Sequence, residues 1–195
     1  MNFSFEHDII LQNERVLLRP LLTTDLPYLL PVATEPGNLV KFSPYSIHTE
    51  DQLKQYIDSS IIERVNNLRY PFIIFDHKTQ QYAGSTSIAN VSNKDLRFEI
   101  GWTWIGTNFQ RTGLNRNCKF LLLQYAFDTL EFERVEFKTD ARNVQSRTAM
   151  EEMGAVYEGA LRSHTVMMDG YRRTTVYYSI LKDEWKELKT TFLRK

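Results

Sequence analysis

Cysteine is almost missing from this chain: its 195 residues contain one, Cys118. A single thiol cannot build a disulfide within one chain, and no Cys/His group has the spacing of a zinc site, so no metal is expected. Net charge is missing too, with 24 Lys+Arg against 24 Asp+Glu. A nucleic-acid binder carries a basic surplus to neutralise phosphates, and nucleic acid is therefore not an expected partner. No apolar run approaches the ~20 residues that cross a bilayer. The opening MNFSFEHDII lacks the basic stretch and apolar stretch of a secretory leader. The expected location is the cytoplasm, away from membranes. Neither the P-loop pattern nor the dinucleotide GxGxxG pattern occurs, and no internal repeat or low-complexity tract is visible.

What the chain does have is enough apolar matter for a core: 42% hydrophobic residues, 13% of all residues being aromatic. One domain over residues 1–195 is expected, with a basic, frayed tail from about 189. Residues 14–21 (ERVLLRPL) read as a strand, and Thr24-Asp25 as the start of a short helix broken by Pro31. Thr49 and Gln52 have capping-box spacing, followed by Leu53, Tyr56, Ile57 and Ile61 at helical intervals. Residues 70–75, 81–90 and 96–105 then read as an antiparallel meander.

After the meander, Leu114, Cys118, Leu121, Leu122 and Tyr125 share one helical face, in a helix running to Thr129. Residues 134–139 alternate as a strand, residues 143–153 read as a helix, and Gly154 stands at its C′ position. Strand–helix–strand order implies a parallel crossover. Residues 156–167 and 171–181 flank Asp169-Gly170, a dipeptide suited to a type I′ hairpin turn. The fold class is mixed α/β, with a sheet that is mostly antiparallel.

Between the meander and its following helix lies QRTGLNR, residues 110–116. A helix start has free N–H groups and the positive end of a dipole, Gly113 lets the backbone approach a ligand, and Arg111 and Arg116 add charge. By itself the stretch fits either an anion cradle or a plain turn capped by Thr112.

Three signatures in order resolve the choice. Gln110, Gly113 and their spacing resemble motif A of the GNAT superfamily, the acetyl-coenzyme A-dependent N-acetyltransferases, with Asn115 where a small residue is usual. Asn143, Ser146, Arg147 and Met153-Gly154-Ala155 resemble the family's fifth strand and fourth helix. Glu158-Gly159, Leu161-Arg162, Asp169-Gly170 and Tyr178-Ser179-Ile180 are similar to the hairpin of the RimJ/RimL-like branch, as are Arg19-Pro20 and Asp25 at the other end. The resemblance covers nearly the whole chain. It implies a sheet of about seven strands, splayed between strands 4 and 5 and flanked by helices.

It also implies a site. Backbone amides of Arg111, Gly113, Leu114 and Asn115 would hold the pyrophosphate of acetyl-CoA, with Gln110, Thr112 and Arg116 close by. Free backbone groups of Trp104 and Ile105 and the Asn143 side chain would bind its pantetheine arm, and Arg147 would reach a phosphate. Direct transfer to an amine needs a proton acceptor and a partner for the departing thiolate. Glu99 is the candidate base and Ser146 the thiolate partner, with Tyr178 in reserve. Glu99 also has a structural alternative, pairing with Arg97, Arg134 or Lys138. Cys118 reads as a buried apolar residue and no nucleophile. The acceptor is a small-molecule or peptide amine, including a protein N-terminus. A non-catalytic acyl-CoA-binding regulatory module and an interaction domain without coenzyme are the other classes the residues allow. Homodimers are common in the branch, and no residue here requires one.

Overall fold

The computed structural model describes residues 1–193. Eight strands form one open sheet in the order β1-β2-β3-β4-β5-β6-β8-β7. They are β1 (Leu11–Gln12), β2 (Val16–Pro20), β3 (Arg69–Asp76), β4 (Gln81–Ser92), β5 (Arg97–Ile105), β6 (Arg134–Asp140), β7 (Val156–Val166) and β8 (Arg172–Leu181). The expected count was about seven; the additional strand is β1, two residues paired to β2. Among the described residues only β5–β6 is parallel, as the crossover order required. The family's strands 4 and 5 are thus β5 and β6 here.

Five helices cover the sheet: α1 (Leu26–Ala33), α2 (Glu50–Val65), α3 (Leu114–Gln124), α4 (Val144–Glu152) and α5 (Lys182–Thr191). No helix among the described residues is long and apolar enough to cross a membrane. The period-2 pattern of the sheet separates two cores. Val16, Leu18, Phe98, Ile100, Val135, Phe137 and Ile180 face α3, α4 and α5. Ile73 and Trp104 face α1 and α2.

Several local expectations are corrected. α1 passes through Pro31 to Ala33. Only one backbone donor is lost there, and buried Leu29 and Ala33 hold the helix on the sheet. Ahead of α1, Thr23–Asp25 forms a 3₁₀ turn, pinned by the Asp25 carboxylate, which takes both Arg19 amino groups at 2.9 and 2.6 Å. At α2, Thr49 accepts from the Gln52 N–H, but the Gln52 side chain reaches the His48 N–H instead of closing the box. α3 ends at Gln124 and continues as a π-helical turn, Tyr125–Thr129. In the hairpin only Gly170 of the central pair has a positive φ, +79°. Type I′ needs two such residues, so the turn widens to a loop closed by Met167 N–H to Tyr171 C=O.

The tail is the largest correction. Phe192 is 2% exposed and packs on Trp185 and Phe120. Arg116 donates to its carbonyl and lies over its ring. The aromatic pair docks α5 against α3; Arg194 and Lys195 lie outside the described residues.

Candidate active site

The opening in the sheet is visible in the strand register. β5 and β6 pair at Arg97↔Arg134, Phe98↔Val135 and Glu99↔Glu136, and no farther. Beyond Glu99 the strands part. A β-bulge in β5 marks the place: Trp102 has φ +50°, and the register with β4 slips between Ser85 and Ser87. One face of the opening looks toward α3 and α4, the other toward α2 and the α1–α2 loop.

At the α3 end lies the sequence-predicted cradle. Arg111 and Gly113 have φ of +58° and +83°, and Gly113 occupies the N-cap position of α3 without any side-chain cap. Among the described residues, no backbone N–H from Arg111 to Arg116 finds an acceptor; the first helical bond is Asn117 N–H to Gly113 C=O. Alternating left-handed residues before a helix start direct successive N–H groups into one concavity. Nothing lies within 4 Å of where a Gly113 Cβ would stand. Thr112 does not cap the helix: its hydroxyl donates to Phe109 C=O and accepts from Arg15. The Asn115 Oδ1 is buried and has no hydrogen-bond donor among the described residues.

These features match known proteins over most of the chain. A family model for the acetyltransferase (GNAT) domain matches residues 15–156. The chain belongs to the GNAT acetyltransferase family. It is therefore an acyltransferase by family. YdaF of Bacillus subtilis (strain 168), provisionally named a ribosomal N-acetyltransferase, is 34% identical over 103 residues. That match takes in 53% of this chain and about half of the relative, 55%. A solved structure from T. thermophilus, provisionally named an acetyltransferase, is 32% identical with a TM-score of 0.84, covering 94% of each chain. A GCN5-related N-acetyltransferase from Brucella melitensis shares the fold, with a TM-score of 0.90 at 24% identity over 98% of this chain and 86% of its own.

Within this GNAT frame, the remaining sequence-predicted residues fall into two groups. Asn143 caps α4, accepting from the Ser146 N–H at 3.1 Å. Its Nδ2 and the Ser146 hydroxyl make no hydrogen bond within the described residues, so both remain available at the α4 side of the opening. Glu99 is 2% exposed. Its Oε2 receives Asn90 Nδ2 at 2.7 Å and Lys138 Nζ at 2.9 Å; Oε1 leans toward Gly101. Of its three suggested ion-pair partners, Lys138 is the one that meets it.

Others are already engaged. Trp104 points its carbonyl at β4, where a Cβ on Gly84 would collide with it. The Ile105 carbonyl receives Gln110 Nε2 at 2.9 Å, and Gln110 Oε1 accepts from Gln145 of α4. The cleft-facing backbone of β5 is thus less free than the resemblance implied. Arg147 turns onto its own domain, donating to the Tyr178 hydroxyl and Ala141 C=O. Tyr178 in turn donates to Glu151 at 2.7 Å, so both functions of its hydroxyl are occupied. Burial raises the Tyr178 hydroxyl above its ordinary range. Arg116 is committed to Phe192 and Glu152 carbonyls; only its N–H faces the cradle. The Cys118 thiol is pushed up to about 12 by burial, which removes it as a nucleophile.

The α2 face of the opening adds two cations that sequence reasoning missed, Arg69 and Arg173. Trp102 is flanked by Arg69 at 5.3 Å and Lys138 at 5.4 Å. Arg69 also sits over Tyr56 and donates to Ser60. Arg173 of β8 donates to Thr175 Oγ1 and to Phe42 C=O in the α1–α2 loop. Lys138 was already among the partners suggested for Glu99: it alternates with Phe137 as Glu99 does with Phe98, which puts both on one face once the strands are parallel. For Arg69 and Arg173 there was no signal, because the groups that bring them to this face, Trp102 and Phe42, are far away in sequence.

Proposed function

We propose that this chain transfers the acetyl group of acetyl-CoA to a primary amine. The run of unbonded N–H groups from Arg111 to Arg116, at the mouth of the β5/β6 opening, carries this reading. Acetyl-CoA supplies the acyl group as a thioester, already activated toward an amine. The residues present fit it: Gly113 leaves space for a phosphate, the α3 dipole favours negative charge, and exposed Arg111 stands beside the cradle. The Asn143 Nδ2, which makes no hydrogen bond among the described residues, would hold a pantetheine carbonyl.

On the α2 face, Glu99 accepts the amine proton through Oε1, while Asn90 and Lys138 fix Oε2. Ser146 donates at Oγ to the departing sulfur. YdaF is named for ribosomal N-acetylation, which supports trying a protein or peptide N-terminus as acceptor beside amino acids and other small amines. Free-thiol release from acetyl-CoA, screened over amines and N-terminal peptides, tests the proposal. Release with at least one amine, and acetylated product by mass, is expected. Tight acetyl-CoA binding with no release from any acceptor would leave a coenzyme-binding regulatory module instead.

A further inference from the structure

The α2 face of the opening carries one cation more than its carboxylates can pair. Arg69 pairs with Glu63 at 2.5 Å, Lys138 with Glu99 at 2.9 Å and Arg142 with Asp140 at 2.7 Å. Each carboxylate in this group has its cation. Arg173 is left over, with no carboxylate within ion-pair distance among the described residues. Yet it is buried, at 7% exposed. Burial lowers its guanidinium from the ordinary value against the attraction of Asp140, Tyr177 and Glu99.

A buried guanidinium without a counter-charge is costly. Two of its donors are satisfied by neutral oxygens, Thr175 Oγ1 at 3.1 Å and Phe42 C=O at 3.1 Å. Its Nη2 makes no hydrogen bond within the described chain. It is also absent from the buried atoms that lack a partner, so it retains contact with solvent. The guanidinium is therefore held at Nε and Nη1, while the edge that ends in Nη2 keeps free donors. That open edge lies on the face shared with Glu99 and Lys138, because Arg173 and Thr175 alternate with Val176 and Tyr178 of the opposite core. Arg142, stacked on Tyr171 at 3.8 Å and over Phe42 at 5.8 Å, closes the same end of β6.

We infer that Arg173 is an acceptor-binding residue, and that the acceptor amine carries a carboxylate received by its open edge. This rests on the acetyltransferase reading for the amine, and on the geometry alone for the carboxylate. Two sources share the chemistry: the α-carboxylate of a free amino acid, and an acidic side chain near the N-terminus of a peptide. A planar carboxylate fits a guanidinium edge better than any neutral group of the same size.

The test compares acid and amide forms of matched acceptors. One pair is glutamate against its α-carboxamide; the other is a peptide beginning Ser-Glu against one beginning Ser-Gln. The native protein should favour the acid in kcat/KM by about tenfold or more in one pair, and that pair names the source. In Arg173→Gln the ratio should fall to about one, while Arg173→Lys should keep part of it. A role limited to tethering the Phe42 loop would lower all acceptors alike and leave the ratio unchanged. Calorimetry of succinate against succinamide, with coenzyme A bound, tests the site without turnover. Succinate should bind the native protein and not Arg173→Gln. Failure of succinate to bind, or equal rates for acid and amide in both pairs, overturns the inference while leaving amine acetylation standing. Succinate binding without any acetyl transfer leaves the Arg173 site standing and removes the acetyltransferase reading.

Discussion

Lys138 Nζ lies 2.9 Å from Glu99 Oε2, joining β6 just past its last paired residue to the last paired residue of β5. The pair bridges the parting strands on the α2 face. It fixes the Glu99 carboxylate while leaving Oε1 unshared with either donor. A carboxylate held this way can position an amine and take its proton, and the same bond keeps β6 from drifting away from β5. Glu99→Gln is expected to lower kcat by about 10²-fold or more with little change in acetyl-CoA affinity. Steady-state kinetics beside calorimetry separates the two; unaltered kcat across the pH range would remove Glu99 as the base.

The cradle is tested by charge at constant size. Gly113 has a positive φ, a conformation that Asn and Asp tolerate better than other side chains. Gly113→Asn and Gly113→Asp add similar volume to an open space. Asn should weaken acetyl-CoA modestly, and Asp by about 100-fold or more, because it sets a carboxylate against the phosphate site. Equal affinities of the two variants in a binding titration would argue against a phosphate at this position.

Lys119 is a buried cation with a different consequence. It is 5% exposed, and among the described residues its Nζ meets only hydroxyls, Thr103 at 2.7 Å and Thr86 at 3.5 Å. Burial lowers it from 10.5 to about 8. The folded state thus binds the proton more weakly than the unfolded chain. The resulting penalty is fully present below about pH 8 and fades as pH rises toward 10.5, amounting to about 3 kcal/mol. Lys119→Met should raise Tm by several degrees at pH 7, with the gain shrinking above pH 9. Thermal melts of both proteins from pH 6 to 10 check the sign.

Phe192 anchors the C-terminal helix. Phe192→Ala should cost about 3 kcal/mol, as a large-to-small change in a packed aromatic cluster. Because Arg116 binds the Phe192 carbonyl, the same change should loosen the start of α3. Urea melts with and without acetyl-CoA are expected to show both losses.

Cys118 should be inert. Its thiol is fully buried and pushed up to about 12, so iodoacetamide at pH 7.5 should leave the folded protein unmodified and active. Intact-mass measurement before and after unfolding checks this.

How much of this was legible beforehand depended on the range of the interaction. The helix over 143–153, its Gly154 stop and the meander are local: spacing within a few residues chooses them, and the structure agrees. The Gly154 N–H and Ala155 N–H close α4 onto Glu151 and Met150 as a glycine at C′ should. Pro31 and the tail misled for the opposite reason. Local rules end a helix at proline and fray a basic terminus, whereas burial of Leu29, Ala33 and Phe192 overrode both. At the site, the cradle residues are contiguous and were found together. Gln110, Arg116 and Arg147 were named too, but their side chains answer to groups 5 to 76 positions away.

The amino-acid order by itself determined the alternation that sorts each strand into two faces, the caps that start and stop α4, and the glycine that opens the α3 cradle. All of these follow from φ/ψ preference and side-chain period, which act over a few residues. The tertiary structure decided which charges meet. Lys138 finds Glu99 across a parallel register, and Arg173 reaches Phe42 over a separation of 131 positions. It alone leaves Arg173 buried without a carboxylate. Electrostatic pairing depends on distance and burial, and neither is encoded in any short stretch of the chain.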